Sequence, residues 1–150
     1  MQTAKEIMSR ELITVSPETP VEELASLLWE KKISGVPVLE EDGTLFGVVT
    51  ESDLIDQAKK VHIPTAINIL EAVIFLDRGG KVEEELRKMA GSKVRDICAT
   101  SPKIVAPDTP LDEIATIMAE EHLHTLPVLD QGKVVGVVGK GDIIRTLAKR

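Results

Sequence analysis

The chain carries the same pattern twice. Ser16–Pro20 reads SPETP ahead of VEELASLLWEKKISGVPVLE, and Ala106–Pro110 reads APDTP ahead of LDEIATIMAEEHLHTLPVLD. After a short gap, GTLFGVVTESDLI (Gly43–Ile55) is matched by GKVVGVVGKGDII (Gly132–Ile144). The offset is 90 residues from Thr14 to Leu39 and 89 beyond, because one extra residue lies in the first copy's Glu41-Asp42 turn. Two copies of a unit that cannot bury its apolar face alone are expected to pack against each other. A pseudo-two-fold module follows, and its clefts must come in related pairs.

Each copy follows one local script. A short β run (Leu12–Val15; Lys103–Ala106) leads into a proline-bracketed turn. The Thr19-Pro20 and Thr109-Pro110 pairs read as helix cap and first helical position. Val21, Leu24, Leu27 and Leu28 then form one apolar stripe, repeated by Leu111, Ile114, Ile117 and Met118, which predicts an amphipathic helix of about 12 residues. A hairpin follows: Val36–Leu39 and Leu45–Thr50 around Asp42-Gly43, and Leu126–Leu129 and Val134–Val138 around Gln131-Gly132. A second helix closes each copy (Glu51–Lys59; Lys140–Ala148). The order β-α-β-β-α, twice, makes an α/β fold. Between the copies, Ala66–Leu76 reads as an apolar helix and Lys81–Ala90 as a charged one. Lys93–Ile97 (KVRDI) then repeats the lead-in Ala4–Met8 (AKEIM). The expected organisation is a first repeat over 1–60, an intervening helical segment over 61–91 and a second repeat over 92–150, in one compact module.

Composition narrows the function. A net charge of −7, two Phe, one Trp and no Tyr argue against nucleic acid, which selects a basic face and stacking aromatics. The single cysteine, Cys98, excludes an internal disulfide and a thiolate metal cluster and fits a reducing cytoplasm. It also lacks the neighbours of a reactive thiolate. The N-terminal MQTAKEIMSRELITV has no apolar core run of a secretory signal. Ile63–Leu76, the most apolar stretch, is too short to span a bilayer and carries Glu71. His122 and His124 have no third ligand in reach, so no metal site is expected. The expected partners therefore include neither nucleic acid nor membrane.

Taken together, x-P-x-T-P, a helix, SGVP or HTLP followed by Val-Leu, a hairpin, and G-V-V-x-x-x-D-[LI]-I resemble a tandem pair of cystathionine β-synthase-type (CBS) domains, a Bateman module. Only the middle segment falls outside the pattern. The resemblance implies a regulatory, non-catalytic protein, commonly a homodimer. It also implies an adenosine-containing ligand between the repeats (AMP, ADP or ATP, with S-adenosylmethionine or a cyclic dinucleotide as alternatives) and no obligatory cofactor. Energy sensing through an unidentified downstream protein is the matching role. The rival expectation is a ligand-free dimerisation or interaction module with vestigial clefts.

Two segments are candidate sites. Thr50-Glu51-Ser52-Asp53 matches the family's nucleotide motif: Asp53 would accept ribose hydroxyls, while Thr50 and the free N–H groups of the helix start would hold phosphate. The same Thr-x-x-Asp spacing is also that of a capping-box relative. In the second copy Gly139-Lys140-Gly141-Asp142 keeps the ribose position at Asp142 but loses the hydroxyl at Gly139; Lys140 and the open backbone could serve phosphate instead. The base is expected against Ile33–Pro37, including Ser34, Gly35, Val36 and Pro37, and against Leu123–Pro127, including His124, Thr125, Leu126 and Pro127, with its edges read near Thr14 and Ile104; the alternative for Val36-Pro37 and Leu126-Pro127 is strand start and core.

Overall fold

The computed structural model describes residues 2–60 and 92–148. In chain order these form α1 (Ala4–Ile7), α2 (Val21–Lys31), β1 (Gly35–Leu39), β2 (Leu45–Thr50), α3 (Glu51–Lys60), α4 (Val94–Ile97), α5 (Leu111–Glu121), β3 (Thr125–Asp130), β4 (Lys133–Gly139) and α6 (Lys140–Ala148). The expected helices over Ala66–Leu76 and Lys81–Ala90 lie outside the described residues.

Helices α2 and α5 arise from the predicted stripes. Val21, Leu24 and Leu28 are buried on one, Ile114 and Met118 on the other. Both helices end on a left-handed residue, Lys32 and His122, each with φ of 55°. Their starts differ from expectation. Pro20 and Pro110, not the threonines, occupy the cap position in extended backbone. The Thr19 and Thr109 hydroxyls are spent on the preceding turn, accepting the N–H of Ser16 at 3.0 Å and of Ala106 at 2.9 Å.

Each hairpin is antiparallel, β1 with β2 and β3 with β4, pairing Val36 with Val49 and Leu126 with Val138. Gly43 and Gly132 take φ of 87° and 81° in the two turns, a region open to glycine at no steric penalty. The β runs expected at Leu12–Val15 and Lys103–Ala106 are reduced to single parallel bridges, Val15 to Val38 and Val105 to Val128. Pro17 and Pro107 follow two residues later, and proline cannot continue a hydrogen-bonded ladder.

The lead-ins are exchanged between the repeats. Ala4 and Ile7 of α1 are buried in the second repeat's core with Val105, Ile114, Leu126, Val128 and Val138. Val94 of α4 is buried in the first repeat's core with Val15, Leu24, Val36, Val38 and Val49. Backbone bonds repeat the exchange symmetrically. Ala4 N–H donates to Thr109 O, and Val94 N–H donates to Thr19 O, both at 2.9 Å. In return Leu111 N–H donates to Gln2 O at 2.9 Å and Val21 N–H to Ser92 O at 3.0 Å. Helix-start N–H groups that lack an intrahelical partner are thereby satisfied across the repeat boundary.

The lead-ins continue onto the hairpins through bridges from Ser9 to Val137 and from Ala99 to Val48. Gly47 and Gly136, partners in the repeat, make this approach possible. A Cβ on Gly47 would strike the Ala99 carbonyl oxygen, and one on Gly136 the Met8 sulfur. The shared Gly-Val-Val motif is thus the seat of the other copy's lead-in. Exposed ion pairs of Glu18 with Lys93 and Arg95 fasten α4 at its rim.

Candidate functional site: two clefts between the repeats

The repeats meet at Gly35 and its counterpart Thr125. A Cβ on Gly35 would lie 2.8 Å from Thr125 Oγ1, so one copy must be bare where the other carries a side chain. Thr125 is buried, at 6% exposure. Ser34 and Thr125 form the wall shared by two clefts, one on each side.

The larger, about 620 Å³, is lined by Ile13, Ile33, Gly35, Val36 and Pro37 of the first copy and Gly139, Lys140, Gly141 and Asp142 of the second. We call it the glycine cleft. Asp142 is the third residue of α6; its Oδ2 accepts Gly139 N–H at 2.8 Å and its Oδ1 accepts Arg145 Nη2 at 2.8 Å. The same guanidinium nitrogen donates to the Ile7 carbonyl at 3.3 Å, tying the carboxylate to the exchanged lead-in. Lys32 reaches this lining from the end of α2.

The smaller, about 240 Å³, is the threonine cleft. Thr50, Glu51, Ser52 and Asp53 face Pro102, Lys103, His122, Leu123 and His124 across it. Asp53 Oδ2 accepts Thr50 N–H at 2.9 Å and Thr50 Oγ1 at 3.3 Å. The capping role weighed for this motif is therefore formed. A carboxylate has about four lone-pair sites, so the cap does not exhaust it. Burial pushes the Asp53 carboxyl above the usual range, opposed by the Thr50 bonds and reinforced by the charge of Asp56. Burial, then the charge of Asp53, likewise raises the Cys98 thiol, the wrong direction for a thiolate nucleophile.

Most of the expected site residues gather here, in a crossed arrangement. Ser34 and Thr125 touch both clefts. Gly35, Val36, Pro37, Gly139, Lys140 and Asp142 share the glycine cleft; Thr50, Asp53 and His124 share the threonine cleft. Each aspartate thus faces the wall segment of the opposite copy. Four residues lie elsewhere. Leu126 and Pro127 are core residues at under 2% exposure. Thr14 lines an outer hollow with Ser16, Thr19 and Glu23. Ile104 is 46% exposed and lines neither cleft. Sequence reasoning did not single out Lys32, Lys103 or Arg145. The offset pairing of Lys32 with His122 and of Arg145 with Asp56 was the signal that could have found two of them.

Among the described residues, no helix is long and apolar enough to cross a membrane. A model of the CBS domain matches residues 4–60 and 94–149. An uncharacterised protein of Methanocaldococcus jannaschii is 29% identical over 153 residues, spanning 95% of this chain and 89% of that protein. The chloroplastic CBS domain-containing protein CBSX2 of Arabidopsis thaliana is 33% identical over 139 residues, 89% of this chain and 58% of the plant protein. The crystal structure of CBSX2 in complex with AMP superposes with a TM-score of 0.75 at 28% identity, covering 99% of this chain and 98% of that one.

Proposed function

The chain belongs to the CBS-domain family as a tandem pair, and from that premise we propose that it is a non-catalytic regulatory module binding an adenosine-containing nucleotide (AMP, ADP or ATP) between its repeats. One observation carries the reading: each helix-start aspartate opens into a cleft whose opposite wall belongs to the other copy. A ligand holding its ribose on Asp142 and its base against Ile33–Pro37 must touch both repeats. The AMP complex of CBSX2 supports the choice of ligand class. The glycine cleft also falls within the range of about 300–1,000 Å³ common for ligand pockets.

Such a ligand favours the arrangement in which both sets of contacts form, and a downstream protein reads the shift. We place the repeats at 1–60 and 92–150, consistent with the family match. We place the protein in the cytoplasm and expect it to pair with a second copy. Ile55 and its counterpart Ile144 are 68% and 61% exposed, and Leu147 and Trp29 53% and 84%; these side chains offer an apolar surface for that pairing. The rival is a ligand-free interaction module in which both aspartates act only as helix-start caps, Asp53 to Thr50 N–H and Asp142 to Gly139 N–H.

A thermal-shift panel of AMP, ADP, ATP, S-adenosylmethionine and cyclic dinucleotides tests the function. Binding at a hundredfold excess over Kd stabilises by about 2.7 kcal/mol. No shift with any of them at millimolar concentration would overturn the sensor reading. Asp53→Ala and Asp142→Ala should each remove one adenosine site by calorimetric stoichiometry, and unchanged stoichiometry in both would refute the site assignment.

A further inference from the structure

The two clefts are built on the same frame with opposite charge. Aligned by the repeat, Lys32 corresponds to His122, Lys140 to Glu51 and Arg145 to Asp56. The glycine cleft is lined by three cations, Lys32, Lys140 and Arg145, against the carboxylates Glu11 and Asp142. The threonine cleft has one cation, Lys103, against Glu51 and Asp53. Charges lining a partly desolvated cleft are screened less than charges in open water, so the cationic lining favours a phosphate and the acidic one opposes it.

One further feature singles out the glycine cleft. An added Cβ on Gly141 would meet nothing within 4 Å, so a ligand can approach the start of α6 there without displacing protein atoms; Ser52 stands at the equivalent position of the other cleft. Lys32 and its counterpart His122 both hold a left-handed backbone, φ 55°, at a helix end where glycine is the residue of least strain; the two clefts differ there in the side chain alone. A non-glycine residue kept in that conformation is a local sacrifice of stability, and at Lys32 it delivers an ammonium group to the cleft lining.

We propose that the glycine cleft is the phosphate-bearing one, seating the tail of a nucleoside di- or triphosphate on Lys32, Lys140 and Arg145, while the threonine cleft admits nucleoside but repels phosphate. The proposal rests on the clefts being adenosine sites. An arriving phosphate competes with Asp142 for Arg145, which releases the carboxylate for the ribose hydroxyls. It also draws the guanidinium away from the Ile7 carbonyl.

Isothermal titration of the full chain with ATP and with adenosine separates the possibilities. One ATP and two adenosines per chain are expected. Lys140→Glu should weaken ATP about tenfold or more, the scale of losing a charged hydrogen bond, and leave adenosine within about threefold because adenosine carries no charge to lose. Lys32→Gly should raise Tm while lowering ATP affinity, a pair of effects that partial unfolding cannot produce. Installing the cations by Glu51→Lys with His122→Lys, both in the threonine cleft lining, should create a second ATP site. Tripolyphosphate alone should bind more weakly than ATP; equal affinity would leave the base without a role and overturn the nucleoside half of the proposal. Two ATP molecules per wild-type chain, or unchanged ATP affinity in both Lys32→Gly and Lys140→Glu, would overturn the partition while leaving the adenosine sites standing. Failure of both adenosine and ATP to bind would instead bring down the proposed function, and the partition with it.

Discussion

Core positions Val15, Leu24, Val38 and Val49 of the first repeat answer to Val105, Ile114, Val128 and Val138 of the second; all eight are aliphatic and at most 9% exposed. Cleft-side positions Lys32, Thr50 and Glu51 answer to His122, Gly139 and Lys140. The difference follows from what each place demands. A close-packed interior restricts volume and excludes unpaired charge, so the copies stay alike there. A cleft wall must only stay hydrated or face a ligand, and charge is free to reverse.

The sharpest way to break this comparison is to perturb matched core positions. Leu24→Ala and Ile114→Ala both empty fully buried sites, and each should cost about 2–5 kcal/mol by chemical denaturation. A loss confined to one of them would show that the repeats are not equivalent frames. The next test probes a difference inside the frame. Gly47→Ala pushes into a backbone carbonyl, whereas Gly136→Ala pushes chiefly into the flexible Met8 side chain. The first should reach the upper end of the roughly 1–3 kcal/mol typical of overpacking or pass it, and the second about 1 kcal/mol. Equal penalties would mean that Ala99 gives way as easily as Met8.

The smallest effect concerns charge in the threonine cleft. Burial holds the Asp53 carboxyl above its usual range. A carboxyl with a raised folded-state value stabilises the fold fully at low pH, and that contribution is lost as pH rises from the ordinary value through the raised one. Asp53→Asn keeps an acceptor for Thr50 and removes the charge. Its stability relative to wild type should improve as pH climbs above about 4, measured by urea denaturation at stepped pH. A variant that falls behind wild type over that rise would mean that the ionised cap outweighs desolvation.

Much of the architecture was legible in the residues. The stripes of α2 and α5, the hairpins and the helices after them follow from periodicity and turn chemistry, which act over a few neighbours. The threonine caps were misplaced because a hydroxyl can serve either the helix or the turn before it, and spacing alone does not choose. The exchange of lead-ins was not legible either: AKEIM and KVRDI announce a shared role, but which core each enters depends on contacts about a hundred residues away. The same holds for the clefts. Asp53 and Asp142 could be named from the repeat, while their crossed pairing with the opposite wall is a product of the dyad. Lys32 and Arg145 look like ordinary solvated helix residues until the cleft is formed around them.

The exchanged lead-ins bear on how the chain comes together. Ala4 must find a core built from residues 105–138, and Val94 one built from residues 15–49. Closing a loop that long carries an entropic penalty growing as about (3/2)RT ln n, and contacts this distant in sequence slow folding. In return, each half holds the piece that completes the other. A half-folded chain would leave one core open and one lead-in unplaced, so the described elements should melt in a single cooperative transition, like a clasp that is either shut or undone.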